Sequence, residues 1–149
     1  MNAQRICRSW VVIAALSVGA MGCGAPETND GLVPVSGTVT LDGEPLAGAT
    51  VSYNVARGTA GQGGTGTTDA QGKYEISHFR AGKGVNPGEY TVTISKLVLS
   101  DGSPIPPDAE SIFNLDTKDL VPPKYNLATT LTETVTSNGE SIDFELKSR

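Results

Sequence analysis

The chain has 149 residues and a formal charge of -5, from 11 Lys+Arg against 16 Asp+Glu, with 38% hydrophobic and 18% charged residues. That length suits one small domain; the apolar content is too high for a disordered acidic tail, and 18 Gly with 9 Pro leave little room for long helices. The acidic balance provides no basic footprint for a phosphate backbone, which excludes nucleic acid as a partner.

At the N-terminus, Arg5 and Arg8 precede an apolar run from Trp10 to Met21, and the small residue Gly22 then leads to Cys23. Charge, apolar run and small residues in that order predict a secretory signal over residues 1–22. Twelve apolar residues rise about 18 Å as a helix, against about 30 Å of bilayer hydrocarbon, so the run is too short to span. Ala20-Met21-Gly22-Cys23 resembles a bacterial lipobox. That resemblance implies that Cys23 receives diacylglycerol and becomes the first residue of the mature chain. Cys7 is lost with the signal, so Cys23 is the sole mature cysteine and no internal disulfide is available. Loss of Arg5 and Arg8 leaves nine basic against 16 acidic side chains, a charge of -7. Attachment is therefore expected through acyl chains, at about 0.8 kcal/mol per buried methylene, and not through charge. Gly24 follows Cys23 without an Asp-type retention signal, which favours the outer membrane.

Residues 23–32 run from Cys23 through Gly, Ala, Pro and polar residues to Leu32, and are read as a flexible tether to a domain over 33–149. Within that domain, Val35, Gly37, Val39 and Leu41 alternate with polar residues as a half-buried strand ended by Asp42-Gly43. Ala49, Val51, Tyr53 and Val55 give a second strand, and Gly58 to Gly66 reads as a mobile hairpin loop. Thr67-Thr68 and Lys73 to Ser77 follow as two short strands joined in a hairpin by Asp69 to Gly72. Tyr90, Val92 and Ile94 mark the clearest strand, extending towards Val98. Leu127, Thr129, Leu131 and Val135 are expected on one inner face, Ser137-Asn138-Gly139 as a hairpin turn, and Ile142, Phe144 and Leu146 as the inner face of the last strand. About seven short strands without helical period predict an all-β, antiparallel seven-stranded β-sandwich, with a long loop over 100–126.

The run from Val35-Ser36-Gly37-Thr38-Val39 through Asp42-Gly43-Glu44-Pro45-Leu46 to Val51, with Thr68 to Tyr74, Pro87 to Ile94 and Pro122 to Asn126, resembles the carboxypeptidase regulatory-like domain family, especially its planctomycete-type lipoproteins. The resemblance spans nearly all of the mature chain and implies a transthyretin-like or Ig-like sandwich. In the metallocarboxypeptidases that name the family this module is an accessory domain without catalytic residues, so the likeness implies a fold and no activity.

Candidate chemistry is sparse. His78 is the one histidine, too few for a His-rich metal site, and is expected at a strand end in a structural role. Transthyretin-like 5-hydroxyisourate hydrolases use several histidines and a Tyr-Arg-Gly-Ser ending, whereas this chain ends Leu146-Lys147-Ser148-Arg149. An isopeptide bond to Asp143 or another last-strand acid needs a Lys on the first strand, and Val35 to Leu41 has none. The glycines of 58–66 lack the Gly-Lys-Ser/Thr opening of a phosphate-binding helix. The 100–126 loop carries Asp101, Asp108, Glu110, Asp116 and Asp119, without the alternation of an EF-hand, and Ile112, Phe113, Leu115 and Tyr125 as apolar contacts, with Tyr125 packed on the sandwich edge. Tyr53, Tyr74 and Tyr90 are expected on inner faces, away from any sugar platform.

The reading is thus a non-enzymatic lipoprotein of the cell envelope, lipidated at Cys23 and membrane-anchored. It would act as a structural or protein-interaction module with an envelope protein or polysaccharide as partner. The alternative is a module binding polysaccharide or calcium through the 100–126 loop. No catalytic, cofactor-binding or metal-binding residue is assigned, and no cofactor is expected.

Overall fold

The computed structural model describes residues 31–80, 82–106 and 112–149; Cys23, the signal and most of the tether lie outside them. The protein is nearly all β, with twelve short strands among the described residues and two 3-10 turns, Ile112–Asn114 and Pro123–Tyr125. The strands are β1 (Val35–Leu41), β2 (Glu44–Pro45), β3 (Thr50–Val55), β4 (Gly64–Thr67), β5 (Lys73–Glu75), β6 (Ser77–His78), β7 (Gly88–Ser95), β8 (Leu97–Leu99), β9 (Thr117–Asp119), β10 (Thr132–Val135), β11 (Glu140–Ser141) and β12 (Phe144–Leu146). The expected seven are therefore broken into more, shorter pieces.

One sheet is built around β1, which pairs with β2, β5, β11 and β12; the other runs β10-β7-β3-β4-β6, and β8-β9 form a separate ribbon. Their inner faces share one core. Val35, Val39, Tyr74, Phe144 and Leu146 from the first sheet meet Val51, Tyr53, Tyr90, Val92, Ile94 and Val135 from the second. The period-two residues of β1, β3 and β7 are buried as expected, except that Gly37 and Leu41 are only partly buried and Val55 is 41% exposed.

Asp42 (φ 53) and Gly43 (φ 91) both adopt left-handed backbone, the pair of conformations that a tight two-residue hairpin needs, and fold β2 back on β1. Pro45 is tolerated because β2 is a two-residue edge strand.

Pairing is not wholly antiparallel. β1 runs parallel to β11 and β12, with Val35 opposite Glu140 and Val39 opposite Phe144. Ser137-Asn138-Gly139 is therefore no hairpin, but the crossing from β10 in one sheet to β11 in the other. Between β11 and β12 the ladder is interrupted: Asp143 Oδ1 accepts from the Thr38 N–H (2.7 Å) and hydroxyl (2.8 Å) in place of a main-chain partner. A side chain at Gly37 would collide with the Ile142 carbonyl, so glycine permits this approach.

Other departures have similar causes. The Asp69 carboxylate accepts from the Gln71 and Lys73 N–H groups and makes the expected turn, but it passes the chain from β4 to β5 in the opposite sheet. Gly64 to Gly66 are strand and not loop, because β4 lies so close to β3 and to residues 75–77 that larger residues would clash. β7 stops at Ser95, and Leu97–Leu99 starts the ribbon instead of extending it. Strand β10 begins only at Thr132, and Leu127 is 94% exposed, not inward-facing.

Candidate functional site

Strand register defines two ends of the molecule. At one, Val33 bridges Val85, Gly64 pairs with His78, and Tyr90 pairs with Val55, so the chain joins the domain here. At the other, Thr50 pairs with both Thr67 and Ser95, and the β8-β9 ribbon projects. The eight residues of β7 separate them by about 23 Å.

The ribbon holds most of the exposed apolar surface. Leu97 (43%), Leu120 (41%) and Leu127 (94%) lie exposed around it, and Ile112 (44%) precedes β9. Leu97 is a ridge between two open depressions. One, of about 500 Å³, is lined by Ala47, Gly48, Pro104, Ile105 and Leu120. The second, of about 520 Å³, is lined by Ser95, Val121, Pro123, Asn126 and Leu127.

Asp119 fixes this ribbon to the sandwich. Its Oδ1 accepts from the N–H groups of Lys96 and Val121, both at 2.9 Å, and its Oδ2 from the Ser95 hydroxyl (2.6 Å) and the Asn126 amide (3.0 Å). A carboxylate with four donors on two oxygens is committed to structure. Asp101 caps its own turn: the hydroxyl and N–H of Ser103 hold its carboxyl below the ordinary range. Asp116 is exposed, and Asp108 and Glu110 fall outside the described residues. Among the described residues, no group of three His, Cys, Asp or Glu side chains is arranged to hold a metal ion.

His78 is half-buried at the end of β6, where its Nδ1 accepts the Arg80 N–H at 3.2 Å. Position 38, which faces Asp143, is threonine, so the geometry that would suit a Lys-acid crosslink lacks its lysine. Tyr53, Tyr74 and Tyr90 all lie inside, as expected. Tyr125 is partly buried against the core and its hydroxyl accepts the Lys147 N–H at 3.1 Å. Of the other expected loop contacts, Ile112 is exposed and Leu115 half-buried, while the side chain of Phe113 is outside the described set.

The sequence reading missed Leu97, Leu120 and Leu127. Leu97 had a signal: it is apolar at a position out of phase with Tyr90, Val92 and Ile94, so it could not share their inward face. Alternation over 127–135 puts Leu127 inward, but the turn that Pro122-Pro123 begins separates it from β10, which starts only at Thr132.

Comparison with known proteins adds no family: no family model matches the chain, and no curated protein matches it. Two solved structures are similar at low level. A 9R-lipoxygenase from Cyanothece PCC8801 aligns with 79% of this chain at 16% identity and TM-score 0.37, and this chain spans 16% of it. Chlorocatechol 1,2-dioxygenase from Pseudomonas putida aligns with 80% at 17% identity and TM-score 0.35, and this chain spans 62% of it. Likeness at that level carries no argument about activity.

Proposed function

We propose that this chain is a non-enzymatic, lipid-anchored β-sandwich of the transthyretin-like, carboxypeptidase regulatory-like kind, held at the cell envelope through Cys23 and working as a protein-interaction module. The observation that supports it best is the separation of two ends: the chain from Cys23 joins the domain at Val33, and the exposed leucines 97, 120 and 127 lie at the opposite end. An anchored module presents its contact face away from the anchor in this way. Exposed apolar side chains grouped beside depressions, around a ribbon pinned by a half-buried hydrogen-bond hub, are the kind of surface a protein partner covers. The single histidine, seated in a main-chain contact, and the absence of any cysteine beyond Cys7 and Cys23 leave little with which to assemble a nucleophile and base.

Intact mass and membrane fractionation of the native protein beside Cys23→Ala test the anchor. The expected result is a lipid-sized mass increment and membrane association, both lost in the variant. A plain cleaved mass in the soluble fraction overturns it. Turnover of any substrate by the purified mature protein in a broad hydrolase screen overturns the non-enzymatic reading.

A further inference from the structure

The end at which the chain joins the domain carries a second exposed feature. Phe79 is 58% exposed, the most exposed aromatic side chain among the described residues. It stands at the tip of a hairpin closed by the His78 N–H to Gly82 carbonyl bond (3.0 Å) and the Ser77–Lys83 bridge. Its N–H donates to the Gly63 carbonyl (3.4 Å), and one edge of its ring lies beside Gly63, leaving the rest of the ring open to solvent. Arg80 and Lys83 flank it on this hairpin, and Arg57 follows β3 at the same end.

This is an unusual composition for a chain with nine basic and 16 acidic residues after position 22. Glu75 pairs with Lys83 at 2.9 Å, the one salt bridge among the described residues, so Arg57 and Arg80 stand outside any ion pair there. The carboxylates at this end in register are Glu89, which is exposed, Glu133, half-buried opposite Tyr90, and Glu140, which accepts the Thr136 N–H; Glu89 and Glu133 lie on β7 and β10, towards the sheet edge opposite β6. An exposed aromatic ring followed in sequence by an arginine, with further cations at the same end, fits the boundary between lipid headgroups and acyl chains, with the ring on the apolar side and the cations among phosphates.

We infer that the tip carrying Phe79, Arg80 and Lys83, with Arg57 at the same end, rests on an anionic phospholipid surface and orients the domain with its β8-β9 ribbon outward. The inference rests on lipidation at Cys23. Ten residues, 23–32, reach at most about 35 Å, so the acyl anchor would keep this end, and not the ribbon, close to the bilayer. Tethering at that range makes a weak contact sufficient, because the second binding event is intramolecular.

The test uses the full chain, processed by its host, in vesicles of phosphatidylcholine and phosphatidylglycerol with brominated acyl chains. Trp10 would leave with the signal, so Phe79→Trp and, separately, Leu127→Trp each give one reporter at opposite ends. With an acylated mass in hand, bromine should quench Phe79→Trp emission at least twofold and leave Leu127→Trp unchanged. Adding Arg80→Gln should weaken the contact roughly fivefold, the contribution of one cation at such a surface. Absent quenching at position 79, or quenching at 127 instead, in an acylated chain overturns the orientation and leaves the anchor standing. A chain without the acyl mass overturns the anchor, and the orientation with it.

Discussion

Two oxygens of Asp119 serve four donors that belong to three places in the chain, the end of β7, the turn after β9 and the 3-10 turn at Pro123–Tyr125. Asp119→Ala leaves the Lys96 and Val121 N–H groups without their acceptor in a half-buried setting, and should lower unfolding stability by about 3 kcal/mol in urea titration. Asp119→Asn keeps one acceptor oxygen but turns an amide donor towards Asn126, so a smaller loss of about 1 kcal/mol is expected. Equal stability of all three proteins would show that the ribbon is held by something else. Nothing in the sequence singled out this aspartate from its four acidic neighbours in the loop. Alternation and composition report burial of apolar groups, whereas a carboxylate becomes a hub only when distant N–H groups converge on it.

Among the elements, those legible beforehand are the ones whose apolar residues alternate against a single core, namely β1, β3 and β7. The glycine-rich segment was not legible, since glycine is as common in turns as in strands that must be approached closely. At Gly64 a β-carbon would lie 2.6 Å from the Ser77 carbonyl, 2.7 Å from Ile76 Cγ2 and 2.9 Å from Val85 Cγ1. Gly64→Ala should therefore cost about 3 kcal/mol by overpacking, while Ala at the exposed Thr67 of the same strand should cost under about 0.5 kcal/mol. Denaturant midpoints of the two variants decide this, and matching midpoints would mean that β4 can shift outward at little cost. The ribbon site was only partly legible: residues 100–126 read as one long loop, whereas β9 and both 3-10 turns lie within them, and Leu97 and Leu127 lie outside that window. The parallel β1-β12 pairing was not legible at all, because a strand's pattern names its buried face and not the direction of its neighbour.

At the scale of the whole molecule, the two sheets are joined through their tyrosines. The Tyr74 hydroxyl donates to the Ile142 carbonyl at 2.7 Å, and with its proton so placed it receives the Tyr53 hydroxyl from the facing sheet at 3.3 Å. The Tyr53 ring meets Tyr90 edge-on at 5.7 Å, and Tyr74 stacks on Phe144 at 6.1 Å. Burial pushes the Tyr53 phenol up to about 12 and raises Tyr74 as well. An unfolded tyrosine ionises near 10, so above that pH the unfolded chain holds fewer protons than the folded one and stability falls as pH rises. The expected loss between pH 10 and 12 is about 1.4 kcal/mol per pH unit for each of the two phenols, with phenolate absorbance appearing together with unfolding. Ionisation of Tyr53 or Tyr74, followed residue by residue by NMR, near pH 10 in a protein still folded would contradict it. The parallel pairing of β1 has a further consequence in time. Thr38 and Asp143 are 105 positions apart, and no local hairpin can stand in for the strand that lies between β1 and open solvent. On a chain delivered N-terminus first, whether from a ribosome or through a translocation pore, β1 waits for about a hundred further residues before its last partner arrives. Closure of that sheet is then a late, high-contact-order event, whereas the antiparallel core of the other sheet, β3, β4, β6 and β7, is complete by Ser95.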